Sequence, residues 1–232
     1  MNAVNSKQYQ DWKAKCQTLF TPEHRYPYLD RTRDLAEGFS VRFQGYHGKI
    51  GDWNLRVSEN TLLDRDGKVR FVWRNLSTDG DFASLFCHAN GRHYLVFRVD
   101  LYGYSVMELE SGKEFHYIPS ESYPAEGEQM TETFIWTDAD YDPQSNLLAV
   151  YGCFWACPYS AILLDFSDPL SEQPAERWFD VQDMIDPDDT IYEEVKCGCW
   201  ENGELCLKCY RQSDEQLEEL RLTAEQLREN MQ

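Results

Sequence analysis

Positive charge is scarce in this 232-residue chain: 22 Lys and Arg stand against 41 Asp and Glu, a formal net charge of −19. Such a chain repels nucleic-acid phosphates and anionic lipid surfaces unless a dense basic patch intervenes, and the sequence has none. Long apolar runs are also missing. No stretch approaches the roughly 18 apolar residues of a membrane-spanning helix. The first sixteen residues are polar, with Lys7, Lys13 and Lys15, and lack the apolar segment of a secretory signal. The expectation is a cytoplasmic protein with no membrane and no nucleic-acid partner. Catalytic signatures are absent too: there is no Gly-x-Ser-x-Gly, no phosphate-cradling glycine loop and no dinucleotide fingerprint. The five histidines (His24, His47, His88, His93 and His116) form no His-x-x-x-His pair. His88 and His93 flank a turn and read as exposed turn residues. No catalytic residue is assigned.

What is present is enough to build a core: 42% of residues are apolar and 14% aromatic. Period-two alternation of apolar and polar residues runs from about Phe39 to Leu222, interrupted by tight-turn signals. Asn90-Gly91 and Asn202-Gly203 predict hairpins, because both residues accept the positive φ that a type I′ turn demands. Asp66-Gly67 and Ser111-Gly112 read as further turns. The pattern recurs: Gly91, Leu147 and Gly203 are 56 residues apart each time and open similar apolar runs. Four units follow, near 37–75, 82–119, 131–181 and 189–222, each fit for three or four antiparallel strands.

This ordered series of meanders resembles a β-propeller of the WD40-like kind, although the Gly-His and Trp-Asp signatures of that family are missing. The resemblance implies an all-β fold, a small or partial propeller of four blades with short helices at both ends. Residues 1–36 are expected to hold an N-terminal helix and lead-in, 37–222 the β domain and 223–232 a C-terminal helix. Ser6 is the N-cap candidate of the first helix, with Tyr9, Trp12, Cys16 and Leu19 at helical spacing. Thr223 and Gln226 suit a capping box for the last.

Eight cysteines in a cytoplasmic chain are expected to be reduced. Cys197, Cys199, Cys206 and Cys209 invite a four-thiolate zinc reading. With Asn202-Gly203 as the turn, however, Cys197, Cys199 and Cys206 share one side and Cys209 takes the other. The thiols are therefore expected to pack as small hydrophobes, with no metal and no cofactor. Asp138-Ala139-Asp140-Tyr141-Asp142 looks like the start of a calcium loop, but Pro143 occupies the place of the required glycine. An acidic strand end is the better reading.

The loops after the second strand of each unit are unusually aromatic. They carry Tyr46, His47 and Trp53, then Tyr102, then Phe154 and Trp155, then Tyr210 and Arg211. If the units are blades, these loops share one rim, and aromatics on a rim suit a protein-binding surface. An alternative for Phe154 and Trp155 is that they cap the core. Residues 180–204 hold nine carboxylates against Lys196 alone, an acidic flank that favours a basic protein partner. The expected function is a non-enzymatic interaction module, an inhibitor- or immunity-type protein being one form of it. The rival is a hydrolase or lyase with a carboxylate-lined central pocket for a sugar or small polar ligand.

Overall fold

A computed structural model describes residues 1–78, 81–171 and 178–231. The protein is mostly β, as the alternation requires. Among the described residues, three four-stranded sheets and one three-stranded sheet follow one another along the chain, each built of antiparallel sequence neighbours. The first comprises β1 (Arg31–Asp34), β2 (Ser40–Ile50), β3 (Trp53–Leu63) and β4 (Val69–Asn75). The second comprises β5 (Ala83–Cys87), β6 (His93–Phe97), β7 (Tyr104–Glu108) and β8 (Glu114–Tyr117). The third holds β9 (Ile135–Asp142), β10 (Leu147–Cys153), β11 (Ser160–Asp165) and β12 (Trp178–Asp180). The last holds β13 (Tyr192–Glu201), β14 (Glu204–Arg211) and β15 (Leu217–Thr223). The expected third unit, 131–181, thus includes residues 172–177, which lie outside the described residues.

Turn chemistry sets the boundaries. Asn202-Gly203 joins β13 to β14 with Asn202 at φ 54 and Gly203 at φ 81, as a type I′ turn requires. Asn90-Gly91 joins β5 to β6, but there Gly91 alone is at positive φ, 79, so the expected type I′ turn does not form and the loop closes through the Gly91 N–H on the His88 carbonyl. Asn146, which precedes Leu147 of the repeat, takes φ 56 between β9 and β10. Asn tolerates this left-handed region better than most residues, because its short polar side chain bonds locally.

Helix α1 (Lys7–Gln17) begins where Ser6 accepts a hydrogen bond from the Tyr9 N–H at 3.2 Å. Helix α2 (Val181–Ile185) is one turn capped by Asp180. Helix α3 (Ala224–Asn230) carries the full capping box between Thr223 and Gln226.

The chain divides into two compact units. Unit 1 takes residues 1–85, 95–105 and 116–133; unit 2 takes 86–94, 106–115 and 134–232. In unit 1, α1 lays Tyr9 and Cys16 into a cluster with Ala3, Leu76 and Ile118. Tyr9 meets Tyr123 edge-on at 5.0 Å. In unit 2 the core is β10 and β11 against β13 and β14, with Leu147, Ala149, Leu163, Leu205 and Leu207 at its centre. Gly152 there approaches the β9 backbone so closely that a Cβ would sit 1.9 Å from the Ile135 carbonyl oxygen.

Candidate functional site

Charge is divided unequally between the units. Unit 1 carries 14 Lys and Arg against 16 Asp and Glu, whereas unit 2 carries 8 against 25. Nearly all of the −19 therefore belongs to unit 2. The acidic flank of residues 180–204 is one part of it.

The buried acids of both units are engaged by the scaffold. In unit 1, Asp81 accepts from Asn75 Nδ2 at 2.6 Å and Ser58 Oγ at 2.8 Å, and Arg31 approaches at 3.7 Å. Asp100 accepts from the Leu101 N–H at 2.7 Å and the Tyr123 hydroxyl at 2.5 Å. Burial pushes the Asp100 carboxyl up to about 6, against the pull of those bonds and of the Arg98 guanidinium. Burial likewise raises Asp81, opposed by Asn75, Ser58, Arg31 and Arg98. Arg98 itself is fully buried and donates to the Leu101 carbonyl at 2.9 Å.

Unit 2 repeats the pattern. Glu108 accepts from Arg92 at 2.5 Å and from the Tyr94 hydroxyl at 3.1 Å. Asp142 accepts from both the N–H and the hydroxyl of Ser145. Asp186 accepts from the N–H groups of Thr190, Ile191 and Tyr192 at 2.6–3.0 Å. The 138–142 segment is strand β9, and its Asp140 takes the Trp200 N–H at 2.8 Å.

One histidine departs from its expected place. His88 is buried rather than exposed, stacked on Tyr141 at 5.1 Å. Its Nε2 lies 2.9 Å from the Phe166 carbonyl oxygen, and its Nδ1 accepts from the Asn90 N–H at 3.1 Å. A carbonyl only accepts, so the proton sits on Nε2 and the neutral ring satisfies both partners. The turn signal at Asn90-Gly91 hid this, because Phe166 is 78 residues away.

The aromatic candidates occupy several settings. In unit 1 the expected Gly45–Trp53 loop is largely strand: β2 and β3 pair in continuous register from Ser40–Leu63 to Ile50–Trp53. The strands are longer than the repeat suggests because the lead-in covers their far half. Gly48 meets Leu19 and His24, and Gly45 meets Leu29 and Tyr26, at spacings that leave no room for a Cβ. Tyr46 is held between Phe20 at 5.3 Å and the Arg25 guanidinium at 5.2 Å. His47 is exposed and rests on Tyr26 at 5.5 Å. Trp53 stands at the hairpin tip, 72% exposed. Tyr102 is buried, not on a rim. The next residue explains its position: Gly103, at φ 85, presses within 2.0 Å (Cβ-equivalent) of the Tyr117 carbonyl oxygen.

In unit 2, Phe154 packs edge-on against Phe134 at 5.6 Å, whereas Trp155 beside it is 50% exposed. The two readings of this pair therefore split between neighbours. Tyr210 is half-buried beneath the Lys196 ammonium at 5.7 Å. Arg211 is paired with Asp214 at 3.1 Å and Glu218 at 3.8 Å. Of the eight candidates, Trp53 and Trp155 combine a large side chain with high exposure.

No disulfide joins the cysteines among the described residues. Cys209 is buried in the unit 2 core, and burial pushes its thiol up to about 12. Cys197 and Cys199 are exposed, contrary to the expectation that they pack as hydrophobes. Both point away from the core because they alternate with Gly198 and Trp200, and a register shift between Val195 and Cys197 leaves buried Val195 on the other face. Among the described residues no helix is long and apolar enough to cross a membrane.

Compared with protein-family models, curated proteins and solved structures, the chain matches none of them.

Proposed function

We propose that the chain is a non-enzymatic interaction module that engages a basic protein through its acidic unit 2, with Trp155 as an aromatic anchor. The observation that carries this reading is the charge division, 25 carboxylates against 8 cations in one unit. Charge of one sign speeds encounter with an oppositely charged partner, and a half-exposed tryptophan supplies area that steering alone does not. An inhibitor that neutralises a basic protein is one form of this activity. The four successive meanders suit the blades of a partial propeller, in which the aromatic loops would share a rim. The hydrolase or lyase reading has less support, because the buried carboxylates already accept hydrogen bonds from neighbouring protein groups.

The experiment is affinity capture from the native cell extract followed by binding kinetics with the recovered partner. Trp155→Ala is expected to weaken binding by about 2 kcal/mol or more, as truncation of an aromatic hot spot does, with little change in melting temperature. Unchanged affinity of a folded Trp155→Ala variant would remove the anchor.

Charge reversal provides a separate test. Asp188→Lys with Glu193→Lys alters two exposed carboxylates and spares Asp189, whose φ of 51 suits few side chains. Association is expected to slow and to lose part of its salt dependence, while dissociation changes little. An association rate that stays the same at low salt counts against steering.

A further inference from the structure

The last sheet is one strand shorter than the other three and ends on β15, which pairs with β14 alone. The hairpin before β15 fixes where its backbone groups point. Asn202 and Gly203 both have positive φ, the signature of a two-residue type I′ turn. Such a turn closes on a hydrogen-bonded pair, here Glu201 and Glu204, and bonded and non-bonded pairs then alternate. Glu204, Cys206 and Lys208 therefore bond to β13, while Leu205, Leu207 and Cys209 bond to Leu222, Leu220 and Glu218 of β15. The N–H and C=O groups of Leu217, Glu219 and Arg221 are left pointing outward. Among the described residues they meet no hydrogen-bond partner.

Edge strands are normally kept from joining other chains by shortness, bulges, covering segments or unfavourable charge. β1 has four residues and β12 three. β13 carries two register shifts, and its Val195 N–H donates to the Tyr159 carbonyl. β4 is longer, but two copies paired about Val72 would set Arg70 against Arg74. β15 has none of these guards. It is seven residues long, contains no proline and pairs with β14 without a register shift. Leu217, Glu219 and Arg221 are exposed along it.

We propose that β15 is a self-association edge, on which the β15 of a second copy pairs antiparallel about a two-fold axis through Leu220. Only a register centred there pairs the whole strand. It sets Glu219 against the partner's Arg221 and Arg221 against the partner's Glu219, both at positions whose backbone groups point outward. Each such position exchanges two backbone hydrogen bonds, and opposite charges directly across a ladder attract. Registers centred on Glu219 or Arg221 set like charges against each other instead. Lys208 is in register with Glu219, so charge alternates across the joined sheet from Lys208 to Glu219 to the partner's Arg221. Arg221 already holds Glu219 of its own strand at 2.8 Å and Glu201 at 3.1 Å, and the partner's carboxylate extends that group. On the opposite face Leu220, packed against the unit 2 core, meets the partner's Leu220. The interface is isologous, as a closed dimer requires. The carboxylate surplus of unit 2 repels a second copy at long range, so the dimer is weak and forms as concentration rises. This edge is independent of the binding reading above.

The test is sedimentation equilibrium of the full chain over a wide range of concentration, with circular dichroism to check that each variant folds. The wild-type mass is expected to rise from one chain toward two. Arg221→Glu and Glu219→Lys should each weaken self-association about tenfold or more, because like charges then face each other across the axis. Lys113→Glu makes the same change of net charge as Arg221→Glu on an exposed turn and should leave the association unchanged. An equimolar mixture of the Arg221→Glu and Glu219→Lys variants should associate as a heterodimer, since every facing pair is again of opposite charge. A wild type that keeps the mass of one chain at every concentration overturns the proposal. So does self-association that neither variant weakens, or a mixture of the two folded variants that stays apart.

Discussion

Arg98→Met is expected to destabilise the protein by about 3–5 kcal/mol, the usual cost of removing one partner from a buried charge cluster. The residue is fully buried in unit 1, and its guanidinium favours the charged forms of both Asp81 and Asp100. Methionine fills much of the same volume, so lost packing contributes little of the effect. What remains is Asp100 without the cation that opposes its burial, and Asp81 with Arg31 at 3.7 Å as its remaining cation. The hydrogen bonds to Asp100, from Tyr123 and the Leu101 N–H, are dipolar and do not replace a full charge. Urea and thermal melts at pH 7.5 measure the loss. Adding Asp100→Asn to Arg98→Met should recover part of it, because one uncompensated charge disappears; the two changes couple and do not add. A single variant within about 1 kcal/mol of wild type would show that Arg98 does not hold this cluster together.

Asp100 should also give unit 1 an unusual response to acid. Its carboxyl is held at about 6 when folded, mainly by burial, against about 3.9 in an unfolded chain. The folded state therefore binds the proton more tightly than the unfolded state. Its contribution to stability is fully present below about pH 3.9 and is lost as pH rises through 6. A shift of about two units corresponds to about 3 kcal/mol. Other carboxylates act in the opposite sense: the Arg25 hydrogen bond holds Asp30 below its ordinary value, so that stabilisation is lost on acidification. Comparison with Asp100→Asn isolates the Asp100 effect. The difference in unfolding free energy, wild type minus variant, should rise by about 2 kcal/mol between pH 8 and pH 4. A difference that stays flat across that range would mean that Asp100 is not desolvated in the folded protein.

The sequence by itself determined those features whose causes lie within a few residues. Gly91, Asn202 and Gly203 turn the chain because their own φ preferences allow it, and Ser6 and the Thr223–Gln226 pair cap helices with their own side chains. Period-two alternation also put Cys209 on the opposite side from Cys199 and Cys206, since strand parity follows from counting. Tertiary structure decided what lies at depth. His88 reads as a turn residue until Phe166 supplies its acceptor, and nothing near Arg98 in sequence foretells Asp81 as a counter-charge. Tyr102 belongs to an aromatic loop by pattern and to the core by position. Cys197 and Cys199, by contrast, have an apolar character that suits burial, yet their sheet face is left exposed. Burial depends on which distant segments cover a side chain. Local propensity and alternation fix its direction along the strand, but only the packed neighbours set its solvation, its hydrogen-bond partners and its charge.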